Sequence, residues 1–206
     1  MTGLGLDQER ELWAAGYRWV AGLDEAGRGS WAGPVVAAAV ILPPDCPDVA
    51  SALCDVRDSK ALTPRRREAL FPLICETAFA VGIGMASSEF IDTHRIIKAT
   101  QQSMIMALHN LSLAPDYLLI DALKLPQVDV PQLALIKGDA HVLSIAAASI
   151  VAKVFRDHLM IALDQYQPGY GFAAHKGYGT RAHRAALERL GPCWDHRLSF
   201  APMRLM

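Results

Sequence analysis

The sequence predicts an α/β fold, one mixed sheet with helices on both faces. Two observations carry this. Residues 19–42 hold two apolar runs joined by a short glycine-rich connection, the pattern of an antiparallel hairpin. After Pro43-Pro44, helical segments alternate with short apolar runs bounded by Gly, Pro or Asp, the pattern of strands covered by helices.

Taken in order, residues 1–16 read as a short polar leader or helix around Asp7-Gln-Glu-Arg-Glu. The first strand runs from about Tyr17 to the acid pair Asp24-Glu25, and the second from Val35 to Leu42. Uninterrupted Val, Ile and Ala mark the second as buried. Two carboxylates therefore sit on or beside a core strand. Burying charge there costs several kcal/mol unless the charge is paired or bound to a cation. Thr63-Pro64 opens a helix as N-cap and first-turn proline, running to about Thr77. Phe79 to Ala86 is a third strand. Ser88 to His94 starts a short helix, and Ile96 to Leu111 forms a longer one. On the latter, Ile97, Met104, Ala107, Leu108 and Leu111 share a face.

Pro115 stops that helix. Tyr117 to Asp121 is a fourth strand ending in an acid, and Leu133 to Ile136 a fifth. Lys137-Gly138-Asp139 precedes the longest helix, Ala140 to about Tyr166, whose small residues Ala146 to Ala152 suit close packing onto a sheet. Residues 167–171 form a loop. A last helix runs from about Thr180 to the stop signal Gly191-Pro192.

Composition excludes several classes. With 206 residues the chain fits one large domain with a sizeable core. No apolar run approaches the ~18 residues of a membrane span. The N-terminus lacks a basic-then-apolar signal pattern. Cys46, Cys54, Cys75 and Cys193 have no C-x-x-C spacing, which fits free thiols in a reducing cytoplasm. The net charge of −1 is no global signature of a nucleic-acid binder. Its distribution is uneven. Residues 1–60 carry nine acids against five bases, whereas from His175 onward Lys176, Arg181, Arg184, Arg189, Arg197 and Arg204 face Glu188 and Asp195. Such a chain can hold cations with one part and grip a polyanion with another; an ordinary solvated charged face is the plainer alternative.

Setting the first and fourth strands side by side brings Asp24, Glu25 and Asp121 together at strand ends, where open α/β sheets bind ligands. Converging carboxylates suit hard divalent cations, Mg²⁺ or Mn²⁺ rather than zinc. Two such ions about 4 Å apart stabilise the attacking and leaving oxygens of phosphodiester hydrolysis. A strand-end Asp taken alone is as readily a solvated terminus or a cap, and Asp139 before the long helix fits capping and metal binding equally. Gly27-Arg28-Gly29 fails as a dinucleotide fingerprint, because Gly33 falls one position too late and no helix follows. It is either a tight hairpin or a place where a polymer backbone approaches the main-chain amides while Arg28 neutralises phosphate. In His175-Lys176-Gly177-Tyr178-Gly179-Thr180, Lys176 and Thr180 are candidates for phosphate and Tyr178 for stacking. Alternatively, that loop caps the final helix through Thr180. Asp58-Ser59-Lys60 is a turn, or a phosphate contact if it lies near the acids. Of the seven histidines, His175 is the one with a candidate role.

Together these segments resemble the bacterial ribonuclease HII family. The matching pieces are Gly22-Leu-Asp-Glu-Ala-Gly-Arg-Gly29, Ala32-Gly-Pro-Val-Val-Ala-Ala-Ala-Val40, Asp58-Ser-Lys60, Ile120-Asp121 and Lys137-Gly-Asp139. Ser144-Ile-Ala-Ala-Ala-Ser-Ile150, Ala152-Lys-Val154, Arg156-Asp157, His175-Lys-Gly-Tyr178 and His196-Arg197 continue in the family's order. The resemblance implies a ribonuclease H-like fold: a five-stranded mixed sheet with helices on both faces and C-terminal helices. It implies a single catalytic domain over 1–206, with a leader at 1–16 and a substrate-contacting part at about 167–206.

The implied activity is hydrolysis of RNA in RNA–DNA hybrids and incision 5′ to ribonucleotides embedded in duplex DNA, leaving 3′-hydroxyl and 5′-phosphate ends. Mg²⁺ or Mn²⁺ serves as cofactor, and the protein is a cytoplasmic monomer with no membrane partner. By position Asp24, Glu25, Asp121 and Asp139 match the acidic quartet, with Asp24, Glu25 and Asp121 holding the cations and Asp139 completing or positioning the second site. Gly27, Arg28, Gly29 and Tyr178 match the sensor of the 2′-hydroxyl and of the RNA-to-DNA junction; Lys60, His175 and Lys176 are further substrate contacts. The chain departs from the family at Ser30-Trp31, next to the sensor, at Arg95 and at Trp194-Asp195, none of which removes a proposed ligand. Its intact Gly-Arg-Gly favours ribonuclease HII over HIII. Two rivals remain open: a nucleic-acid-binding module without turnover, and a small-molecule phosphohydrolase.

Overall fold

The computed structural model describes residues 4–205. Its centre is a five-stranded sheet of β1 (Val20–Ala26), β2 (Val35–Ile41), β3 (Ala80–Ala86), β4 (Tyr117–Asp121) and β5 (Gln132–Leu135), in the order β3-β2-β1-β4-β5. β1 to β3 form an antiparallel meander, while β4 and β5 join parallel to β1. The sheet is therefore mixed, with the β1–β2 hairpin and the β1–β4 adjacency both as expected.

Helix α5 (Leu143–Tyr166) covers one face and α4 (Ser88–His109) the other. The alternation of the strands decides which residue meets which helix. Leu23, Ala37, Ala39, Leu118 and Ile120 pack with Met104 and Ala107 of α4. Val36, Ala38 and Val40 pack with Ala147, Ile150 and Val151 of α5. The small residues of α5 let it approach closely. A Cβ at Gly22 would come within 2.3 Å of the Ser144 carbonyl carbon.

The remaining helices are α1 (Asp7–Ala14), α2 (Val49–Ala52), α3 (Pro64–Thr77), α6 (Phe172–His175) and α7 (Arg181–Leu190). Thr63 caps α3 by accepting from the Arg66 amide, and Thr180 caps α7 by accepting from the His183 amide. Helix α4 changes direction at Arg95, whose φ of 71° interrupts the turn between the two segments read from sequence. That break rotates Ile97 to solvent, 45% exposed, so it leaves the apolar face on which it was expected.

Helix α5 starts three residues later than expected, and Asp139 does not cap it. Asp139 lies in a separate 3-10 turn, Gly138–Ala140. The cap comes from 135 residues away: buried Glu9 accepts from the Ser144 amide (2.8 Å), and the Gly5 carbonyl accepts from the Leu143 amide (3.0 Å). Residues 7–14 thus form the helix that was one of the two expectations for this segment, and residues 4–14 also anchor α5, because a helix N-terminus needs acceptors wherever the chain can supply them. No helix among the described residues is long and apolar enough to cross a membrane.

Candidate active site

The parallel pairing of β1 with β4 sets the acids. Leu23 is the register partner of Ile120, so Asp24 and Asp121 follow at the same level of neighbouring strands. Both are one residue out of step with the α4-facing set, which points them toward α5. The 3-10 turn before α5 delivers Asp139 to the same place. One carboxylate oxygen each from Asp24, Asp121 and Asp139 lies within 4.8 Å of the other two.

Asp24 and Asp139 are buried and Asp121 is half-buried. Asp121 accepts from the Gly138 amide at 2.8 Å, which ties the fourth strand to the Asp139 turn. Burial, then the charges of Glu25 and Asp121, pushes the Asp24 carboxyl well above the usual range. Burial also raises Asp121. Three crowded, largely desolvated carboxylates, of which only Asp139 has a salt-bridge partner among the described residues, form an unfavourable arrangement unless a further cation joins them. The all-oxygen donor set fits a hard divalent ion.

Glu25 lines the same cleft as Asp24 and Asp121 but lies outside the three-acid group. Strand alternation takes its carboxylate out of the three-acid group, and it pairs instead with Arg28 at 3.1 Å. Burial raises its pKa although Arg28 works against this, and its second oxygen, Oε2, is buried without a partner. The third member of the trio is Asp139, the fourth acid of the expected quartet. Lys60 does reach the acids, donating to Asp139 at 3.2 Å. Burial pulls its ammonium down, but the charge and hydrogen bond of Asp139, together with the charges of Asp58 and Asp24, leave it raised.

Asp24, Glu25 and Asp121 open into a cleft of about 220 Å³ lined also by Gly27, Arg28, Gly29, Ser59, Lys153 and Tyr178. Gly27 and Gly29 serve different ends there. Gly27 has φ +92°, and a Cβ on it would lie 2.0 Å from Arg156 Nε, so its side chain is excluded from beneath. Gly29 has nothing within 4 Å of a built Cβ; it faces open space, where a ligand backbone can approach. The Tyr178 ring borders the cleft with Lys153 Nζ at 5.5 Å and the Arg156 guanidinium at 5.6 Å from its centroid.

His175 and Lys176 do not join the cleft. His175 Nε2 donates to the Tyr170 carbonyl (2.9 Å) and its Nδ1 accepts from the Gly177 amide (3.2 Å), while its ring stacks on His183. Lys176, at φ +52°, turns its ammonium back onto the Ala173 carbonyl. Both are spent on shaping the Tyr178 loop. Behind them His183 Nδ1 donates to the Tyr178 carbonyl, His196 Nε2 donates to His183 Nε2, and the Cys193 amide donates to His196 Nδ1, each at 3.0 Å. This chain assigns one neutral tautomer to each ring.

Sequence reasoning gave no individual role to Lys153, Arg156 or Arg197, while Ser59, in the expected turn or phosphate contact Asp58-Ser59-Lys60, does line the cleft. Lys153 pairs with Asp157 one turn on, at 2.7 Å, and Arg156 lies on the neighbouring part of the same helix. Lys153, Arg156 and Asp157, at i, i+3 and i+4 of an otherwise apolar helix, were the available signal.

Comparison with known proteins gives one answer. The family model described as Ribonuclease HII matches residues 21–203. The Ribonuclease HII of Roseiflexus castenholzii is 54% identical over 198 residues, covering 96% of this chain and 88% of the relative. That of Geobacillus thermodenitrificans is 55% identical over 196 residues, covering 95% and 73%. Among solved structures, the ribonuclease H2 of Pyrococcus horikoshii OT3 superposes with a TM-score of 0.74 at 26% identity, covering 90% of this chain and 95% of that one.

Proposed function

The chain belongs to the ribonuclease HII family of metal-dependent endoribonucleases, and we propose that it hydrolyses RNA in RNA–DNA hybrids and incises 5′ to single ribonucleotides embedded in duplex DNA. The products are a 3′-hydroxyl and a 5′-phosphate. The observation that supports this reading is one cleft in which Asp24 and Asp121, two of the three crowded carboxylates, adjoin an open glycine, Gly29, and the Tyr178 ring. A 2′-hydroxyl is the only group that marks one ribonucleotide within DNA, so its reader must lie in close contact beside the cutting site.

In this reading Asp24, Asp121 and Asp139 hold Mg²⁺ or Mn²⁺, with Glu25 as the fourth acid. Two such ions supply an activated water and charge neutralisation at the leaving 3′ oxygen. The chain's own residues do the rest. The Gly138 amide orients Asp121, and Lys60 donates to Asp139 and holds it in place. Arg28 restrains Glu25. The backbone of Gly27, Arg28 and Gly29 meets the ribose, and Tyr178 stacks at the RNA-to-DNA junction. The described residues act as a single catalytic domain, with α7 and its arginines as the substrate-contacting part. The setting is a cytoplasmic monomer engaged in ribonucleotide removal.

A duplex carrying one ribonucleotide, incubated with Mg²⁺ or Mn²⁺, tests the reading. The expected product ends 5′ to the ribonucleotide in a 3′-hydroxyl. Absence of incision with either metal rejects it, and turnover of a simple phosphate ester without duplex cleavage favours a small-molecule phosphohydrolase.

A further inference from the structure

Two arginines beneath the cleft are fully buried, and neither has a carboxylate within 4.0 Å among the described residues. Arg197 donates from Nε and Nη2 to the Gly33 carbonyl (3.0 and 2.8 Å), from Nη1 to the Arg28 carbonyl (2.8 Å) and from Nη2 to the Gly27 carbonyl (2.7 Å). Arg156 donates to the carbonyls of Pro34 (2.8 Å), Lys176 (3.0 Å) and Ala32 (3.1 Å). Six main-chain carbonyls take the place of counter-ions. A buried charge pair of like sign is a poor way to stabilise a core, since apolar residues of similar volume do as well or better. What the two guanidiniums do instead is hold the two loops that border the cleft.

The consequence for Gly27-Arg28-Gly29 follows from peptide geometry. In a trans peptide the carbonyl of one residue and the N–H of the next point in opposite directions. Arg197 draws the Gly27 and Arg28 carbonyls inward, so the amides of Arg28 and Gly29 point the other way. Neither amide has a hydrogen-bond partner among the described residues, whereas the next one, Ser30, donates to the Gly27 carbonyl at 3.3 Å. The Arg197 amide donates to the Trp31 carbonyl (2.8 Å), pinning the far end of the same loop.

We propose that Arg197 is a positioning residue for substrate recognition: by gathering the carbonyls of Gly27, Arg28 and Gly33 it holds the Arg28 and Gly29 amides outward as a preformed donor pair for a ribose hydroxyl oxygen. The inference rests on the activity proposed above. A planar fork of five donors spans three carbonyls; a lysine ammonium, a point donor on a flexible stem, does not.

The test compares wild type with Arg197→Lys on a duplex with one embedded ribonucleotide and on the matching all-DNA duplex. The expected result for Arg197→Lys is a KM raised about tenfold with kcat nearly unchanged, the scale of one or two lost hydrogen bonds. Its binding preference for the ribonucleotide duplex over the all-DNA duplex shrinks by the same factor. A variant that melts lower but keeps the wild-type KM and preference overturns the proposal, since that is what a purely structural role produces. If Arg197→Lys does not fold, amide NMR of wild type decides. Free protein should show fast solvent exchange at Arg28 and Gly29 and slow exchange at Ser30, with the first two amides shifting on addition of the ribonucleotide duplex but not of all-DNA duplex. Protected or unresponsive Arg28 and Gly29 amides overturn it. Wild type that cuts neither a hybrid nor the ribonucleotide duplex rejects the functional reading itself, and this inference with it; wild type that cuts, with an unaltered Arg197→Lys, rejects the role of Arg197 alone.

Discussion

Leu23 and Ile120 are register partners in the parallel pairing of β1 with β4, and this pairing brings the next residue of each strand, Asp24 and Asp121, to one spot on the α5 side. Asp121→Asn keeps the shape and the acceptor for the Gly138 amide while removing one ligand charge. Its activity should fall by more than about 100-fold, beyond the loss usual for groups that only support a ligand. Its metal-free melting temperature should stay within about 2 °C of wild type or rise, because a repelling charge is gone. At about 100 times the dissociation constant, a metal stabilises wild type by about 2.7 kcal/mol, a shift Asp121→Asn should lose. Retained activity at saturating Mn²⁺ rejects the assignment.

Gly27 and Gly29 separate under the same substitution. Gly27→Ala drives a methyl into Arg156 at positive φ and should cost about 2–4 kcal/mol, read by denaturant unfolding. Gly29→Ala meets nothing within the chain, so its unfolding curve should match wild type while its KM for a ribonucleotide duplex rises. Equal unfolding midpoints for the two variants would contradict the packing described here.

Tyr178 borders the cleft with its ring 38% exposed residue-wide and two cations near its face. Tyr178→Ala should lower kcat/KM on a single-ribonucleotide duplex about tenfold, the scale of one lost stacking contact. Melting should change by less than the equivalent of about 1 kcal/mol. A large drop in melting with unaltered junction selectivity would assign the ring to the scaffold.

Burial, and then the neighbouring His183, lowers the His196 pKa to about 4. The unfolded chain takes up that proton near pH 6.5 and the folded protein does so only near pH 4. Stability is therefore unaffected at neutral pH and is lost as pH falls through this window, by about 3 kcal/mol at its foot. The raised carboxylates of the cleft act in the opposite sense. The difference between wild type and His196→Asn, melted at a series of pH values from 7 to 4.5, isolates the histidine. A pH-independent difference would show that His196 does not titrate in this way.

Much of this molecule was legible in the chain because local rules govern it. The hairpin, the buried β2, the Thr63 and Thr180 caps and the break near Arg95 all follow from short-range pattern and turn chemistry. The expected pairing of the first and fourth strands also brought Asp24 and Asp121 together, with Gly27-Arg28-Gly29 following directly in the chain. Tertiary structure decided the rest, and for a physical reason: a buried charge or an orphan helix terminus is satisfied by whatever the fold brings near, at any sequence distance. Only the fold made Glu9 the cap of α5 and freed Asp139 to join the acids. It turned Glu25 toward Arg28, and it spent His175 and Lys176 on shaping a loop. It also set Arg197 beneath the Gly27 and Arg28 carbonyls, about 170 residues away in sequence, so that two glycines read alike from the sequence became one glycine packed from below and one left open above.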